Sequence, residues 1–153
     1  MPLTIEKHEA KRLLPDAPEW LKRKLIEEFG EEITKQKDFE NIKTFEDACA
    51  KFKVHPDDVF NERDMPDEIA YKKLKLIIRA INNGWVPDWK NESQKKWVPW
   101  FVLSSGFGFD SSDYYYGNSH TDAGSRLCFE SDEKSTYAAN QFLNLYEEFL
   151  TIK

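Results

Sequence analysis

The sequence predicts an α+β protein: helices first, then a small antiparallel sheet, then a closing helix. Three observations predict it. Up to Gly84, apolar residues recur at helical spacing between recognisable caps. After Gly84 the texture turns to Trp, Pro and Gly with β-prone runs. From Ser131 a stretch free of Gly and Pro restores helical spacing. Helices and strands are thus segregated rather than alternating, which excludes a βαβ plan.

The elements follow in order. In "PDAPEWLKRKLIEEFG", Asp16 with Glu19 reads as a capping pair, Leu21, Leu25 and Phe29 share a face, and Gly30 stops the helix. "EEITKQKDFENIK" is a polar connector. "TFEDACAKF" opens a second helix on the Thr44/Asp47 capping signature, with Phe45, Ala48, Cys49 and Phe52 as its stripe. "HPDDVF" adds a short helical turn begun by Pro56. The strongest helix spans 66–82: Pro66 starts it, Ala70, Leu74, Ile77, Ile78 and Ile81 line one side, and Lys72, Lys75 and Arg79 line the other. About three short strands are expected, at 97–105, 106–110 and 126–131, with "SSDYYYGNSHTDAGS" as a loop. Pro99 marks an edge, a strand start or a bulge. One last helix follows Ser131, with Ala138, Phe142, Leu145, Tyr146 and Phe149 at helical spacing. The sheet is expected to pack against the 66–82 helix and the last helix. Residues 1–153 read as a single domain, with 1–62 as a helical N-terminal subdomain and 66–153 as the core.

The composition sets limits. The chain has 153 residues, 40% hydrophobic, 14% aromatic and 33% charged. That suffices for one domain with a real core and argues against disorder. No apolar run approaches the ~18 to 20 residues of a membrane span. The opening "MPLTIEKHEAKR" lacks the apolar centre of a signal peptide. Cys49 and Cys128 are the only cysteines. A reduced, cytoplasmic setting is therefore expected, with each thiol a small buried side chain. The net charge of −6 disfavours generic nucleic-acid binding. Yet residues 71–97 hold 7 basic and 2 acidic side chains, a basic island in an acidic chain.

That island adjoins the aromatic run "WVPWFVLSSGFGFDSSDYYYG". Trp85, Trp89, Trp97, Trp100, Tyr114, Tyr115 and Tyr116 interleave with Lys90, Lys95 and Lys96. Rings among cations are the platform that single-stranded nucleic acid uses. The plainer reading is that a small sheet needs large side chains for its core. Trp97 and Phe101 share one strand parity and Trp100 the other, so the rings divide between two faces. The basic side of the 66–82 helix could meet phosphates, although a charged outer face is normal for an amphipathic helix.

Catalytic signatures are missing. "SGFGFDSS" is neither a dinucleotide fingerprint nor a Walker loop. There is no Gly-x-Ser-x-Gly, and no motif calls for a cofactor. The one cluster suited to a metal is Asp110, Asp113, His120 and Asp122, with Asn118 among them. Such oxygen donors could hold a divalent cation, but the spacing fits no EF-hand and is ordinary for a turn.

"TFEDACAKF", "INNGWVPDWKNESQKKWVPWF" and "GSRLCFESDEKSTYAANQFLNLYEEFL" resemble uncharacterised small proteins carried by prophages and mobile elements of gut bacteria. The elements that correspond are Gly84 to Trp89, Trp97 to Phe101 and Ser125 to Phe129, and the likeness covers about residues 40–153. The first helix lies outside it. The resemblance implies a host-cytoplasmic, mobile-element setting and carries over no site residue.

Three readings stay open. The first is a non-enzymatic accessory protein that binds a protein or single-stranded nucleic acid through the aromatic-basic surface. The second is a small metal-dependent hydrolase using loop 110–122. The third is a homo-oligomer that buries a sheet face or edge against its copy.

Overall fold

The chain is α+β. A computed structural model describes residues 4–34, 37–116, 121 and 123–152, with backbone alone at His8, Tyr115 and Tyr116. It divides into two units, Met1–Asp38 and Phe39–Lys153.

In the first unit, α1 (Lys7–Leu13) and α2 (Glu19–Phe29) are joined by a 3-10 turn at Leu14–Asp16 and followed by another at Glu31–Thr34. Its small core is Ala10, Leu25 and Ile33. α1 is not among the expected helices, because "KHEAKRL" offers only Ala10 and Leu13 as apolar residues. Asp16 does not cap α2; it closes the 3-10 turn, and Pro18 occupies the N-cap. The proline is the cause. It bars the residue before it from helical backbone, and Ala17 is accordingly extended at φ −74°, ψ 144°. Gly30 ends α2 at φ +85°, a backbone that suits glycine.

The second unit is built around α4 (Pro66–Asn82), whose Ala70, Leu74, Ile77, Ile78 and Ile81 are buried. Truncating any of the larger four to alanine should cost ~2–5 kcal/mol. α3 (Phe45–Phe52) packs on α4. Its cap is reciprocal: the Asp47 amide donates to Thr44 Oγ1 at 3.1 Å, and the Thr44 amide donates to Asp47 Oδ2 at 3.0 Å. Such a cap is worth about 1 kcal/mol. The 3-10 turn Pro56–Val59 follows. Residues 44–62 therefore lie with the core unit, and the division falls at 38/39. The segment entering α3 is tied to the far end of the chain. Tyr137 Oη is 2.7 Å from the Ile42 carbonyl, and Gln141 Nε2 donates to the Lys43 carbonyl at 2.8 Å.

The carbonyl end of α4 attracts cations, as the helix dipole requires. Lys51 donates to the Ala80 carbonyl (3.0 Å) and to Asn83 Oδ1 (2.7 Å), and Lys134 approaches the Asn82 carbonyl at 3.5 Å. Asn83 and Gly84 then turn the chain with positive φ.

β1 (Lys95–Val102) and β2 (Gly108–Tyr116) form an antiparallel pair. β2 is longer than expected, since Ser111–Tyr116 continues the strand instead of looping. The register supplies the reason: Trp100 faces Ser111 and Phe101 faces Phe109, leaving Asp110 as an extra, bulged residue. Beyond it the β-prone tyrosines pair with Lys95–Trp97. The expected third strand at 126–131 shrinks to one bridge, Phe129 with Trp97, through N–H···O contacts of 3.0 and 2.7 Å. Its other edge meets a side chain rather than a strand. Asn82 Nδ2 donates to the Cys128 carbonyl (3.0 Å), and the Glu130 amide donates to Asn82 Oδ1 (3.2 Å).

The closing helix is two, α5 (Asp132–Gln141) and α6 (Leu143–Leu150), broken at Phe142. Each half has its own partner: α5 packs on both strands and α6 on α4. Ser131 caps α5 by accepting from the Lys134 amide at 3.2 Å. Among the described residues no helix is long and apolar enough to cross a membrane.

Candidate functional site

The aromatic-basic run does not form one surface. Trp97 and Phe101 pack against the core, and Phe101 lies 4.7 Å from the ring of Tyr146. Tyr114 packs against Trp97 with the rings tilted and their centres 4.7 Å apart, and the Lys95 ammonium lies 4.4 Å from the Tyr114 ring. Trp100, of opposite parity, is 51% exposed. The side chains of Tyr115 and Tyr116 lie outside the described residues.

Lys96 requires a correction. It was expected on a binding surface, yet its side chain is wholly buried. Strand alternation explains this, for Lys96 shares a face with buried Val98. Its ammonium donates to the Gln94 carbonyl (3.1 Å), reaches the Asn91 carbonyl (3.5 Å) and sits 5.3 Å from the Trp89 ring centre. Trp89, another expected contact residue, faces this ammonium and donates from Nε1 to Ser125 Oγ at 2.6 Å. Around them "VPDWKNESQ" folds by short polar turns. Asp88 Oδ1 accepts from the Lys90 amide and Asn91 Oδ1 from the Ser93 amide, each at 3.0 Å. Lys90 itself is exposed. Cys128 adjoins this chamber. Burial pushes its thiol up to about 11, against a smaller opposing pull from Lys96.

The same folding makes something outside. The 85–94 segment and the 123–129 segment, joined by the Trp89–Ser125 bond, meet the polar side of α4 at a groove of about 720 Å³. Val54, Val59, Leu76 and Ile78 give it apolar lining, Trp85 and Val86 stand where the chain leaves α4, and Lys72, Lys75, Arg79 and Arg126 supply charge. The turn that carries Trp85 is fixed by its amide donating to the Asn82 carbonyl at 3.1 Å.

The four cations differ. Lys72 is neutralised by Asp64 at 2.6 Å. That hydrogen bond, with one from the Asn61 amide, holds the Asp64 carboxyl below its ordinary value. Lys75 rests on the Tyr71 ring at 4.7 Å and Arg79 on the Phe52 ring at 4.3 Å. Among the described residues, Lys75, Arg79 and Arg126 have no carboxylate partner, and no acidic side chain lines the groove. The three α4 cations were legible in the sequence. Arg126 and the apolar lining were not, since 126 reaches the groove only through the Phe129 bridge and the Ser125 contact.

The metal alternative divides. Asp110 and Asp113 are exposed on β2, while His120 and Asp122 lie outside the described residues, as does Asn118. Among the described residues, no group of three or more His, Cys, Asp or Glu side chains is placed to hold a metal ion. Compared with protein-family models, curated proteins and solved structures, the chain finds no match.

Proposed function

We propose that the chain is a non-enzymatic binding module, an accessory protein of the phage and mobile-element kind acting in the cytoplasm, that holds an anionic partner in the groove beside α4. One observation carries this reading: three cations without carboxylate partners surround a single apolar-lined groove. Cations on an ordinary outer face point into water. Here two of them lie over aromatic rings, which fixes their positions without cancelling their charge. Trp85 adds an aromatic wall, so the aromatic-basic surface is made by α4 and the segment after it rather than by the sheet.

Calorimetric titration with inorganic polyphosphate tests it. Binding is expected at 20 mM salt, falling steeply by 200 mM as counterion release requires. The double variant Lys75→Glu/Arg79→Glu should lose at least about tenfold in affinity. It should stay folded, losing on the order of 1–2 kcal/mol of stability with the two cation–π contacts. Absence of binding at low salt, or equal binding by the variant, would remove the groove as the site.

A further inference from the structure

We infer that the anionic partner is single-stranded nucleic acid, with a base against Trp85 and its phosphates on Lys75, Arg79 and Arg126; this rests on the groove reading above and names its ligand. Size comes first. A volume of about 720 Å³ lies in the range that encloses small ligands, and it suits a nucleotide or two rather than a folded protein element. Charge spacing comes second. Lys75 and Arg79 are four residues apart on one helix, hence ~6 Å along its axis. Two successive phosphates of one strand can meet cations at that spacing, because the distance between them along the strand exceeds the ~3.4 Å axial rise. Chemistry comes third. An indole beside apolar lining offers a base a face to stack on, while two guanidiniums match phosphate oxygens in paired geometry. An acidic peptide would satisfy the cations and leave that aromatic wall unused. Finally, the chain carries a net charge of −6, so a duplex lying across a broad surface is repelled while a strand entering one basic groove is not.

The test compares two strands of equal charge by fluorescence anisotropy at 50 mM salt: labelled octathymidylate and an abasic octamer of the same backbone. The thymidylate is expected to bind at least ~5-fold tighter, the least that one stacked base contributes. Trp85→Ala should remove that advantage and leave the abasic strand's affinity unchanged, and Trp85→Phe should retain most of it. Equal affinity of the two strands for the native chain overturns the inference. So does binding of polyphosphate with no binding of thymidylate, a result that leaves the anionic groove standing. An acidic phosphopeptide that competes better than thymidylate also overturns it. If none of the polyanions binds, the groove reading fails along with it.

Discussion

Two settings in the second unit combine cations with tryptophan and have opposite characters, one a direct contact and the other a shared groove. At Lys96 and Trp89 the ammonium is sealed and bonded to backbone carbonyls. At Lys75, Arg79 and Trp85 the cations border open space, over rings of Tyr71 and Phe52. Composition alone makes these the same motif. What separates them is where the cation's hydrogen bonds go. Carbonyls that surround an ammonium consume its donors and make it a structural pin, whereas a ring leaves the donors for a ligand. The sealed pair also shapes the open one, because the 85–94 loop folded over Lys96 carries Trp85 and Pro87 to the rim of the groove.

The largest expected effect breaks the sealed pair. Lys96→Glu would place a carboxylate against the Gln94 and Asn91 carbonyls in a closed site. Its cost should reach ~3–5 kcal/mol, the scale of an uncompensated buried charge. Lys96→Met keeps the bulk and loses only the hydrogen bonds, at ~1–3 kcal/mol. Urea denaturation reads both. If Lys96→Glu is as stable as the native chain, Lys96 is a solvated side chain and the distinction between the two sites disappears.

A smaller effect sharpens the contrast by asking how well the chamber is closed. Burial pushes the Cys128 thiol up to about 11, so little thiolate exists at pH 8. In a Cys49→Ala background, Cys128 should react with a disulfide reagent at least about tenfold more slowly in the native protein than in urea, from its thiolate fraction alone. A fast native reaction would show that solvent enters beside Lys96.

These two sites also show how much could be read from residues alone. The helices at 19–29, 45–52 and 66–82 were legible because each carries a local stop, cap or stripe, such as Thr44 with Asp47. The cations of α4 were legible for the same reason, lying three and four residues apart. Elements that depend on distant partners were not. Whether 126–131 is a strand depends on Asn82, 46 residues before Cys128, and the break at Phe142 depends on α5 and α6 having different neighbours. Strand parity could have placed Lys96 beside Val98, but deciding that this face was the covered one needed the 85–94 loop. The groove was the least legible feature of all, because Val54, Leu76, Trp85 and Arg126 converge from four separate stretches.

The smallest expected effect lies at the open site and is read through pH. Asp64 accepts from Lys72 at 2.6 Å and from the Asn61 amide at 2.9 Å, and both contacts favour the ionised carboxylate. Its folded value is therefore below the ordinary 3.8, with the Lys72 hydrogen bond the leading cause. A carboxyl lowered by folding stabilises the native state fully above its unfolded value. That contribution fades as pH falls through the folded one. Asp64→Asn should thus melt earlier than the native chain at pH 6, and the gap should close as both are taken towards pH 2. The same substitution frees Lys72 from its carboxylate and adds a fourth unpaired cation to the groove. Polyphosphate should then bind more tightly to Asp64→Asn at pH 6, by a factor of a few, while the protein itself is less stable. Stability and affinity moving in opposite directions is what an ion pair at the rim of an anion site produces, and a variant weakened in both would mean that Asp64 holds the shape of the groove rather than limiting its charge.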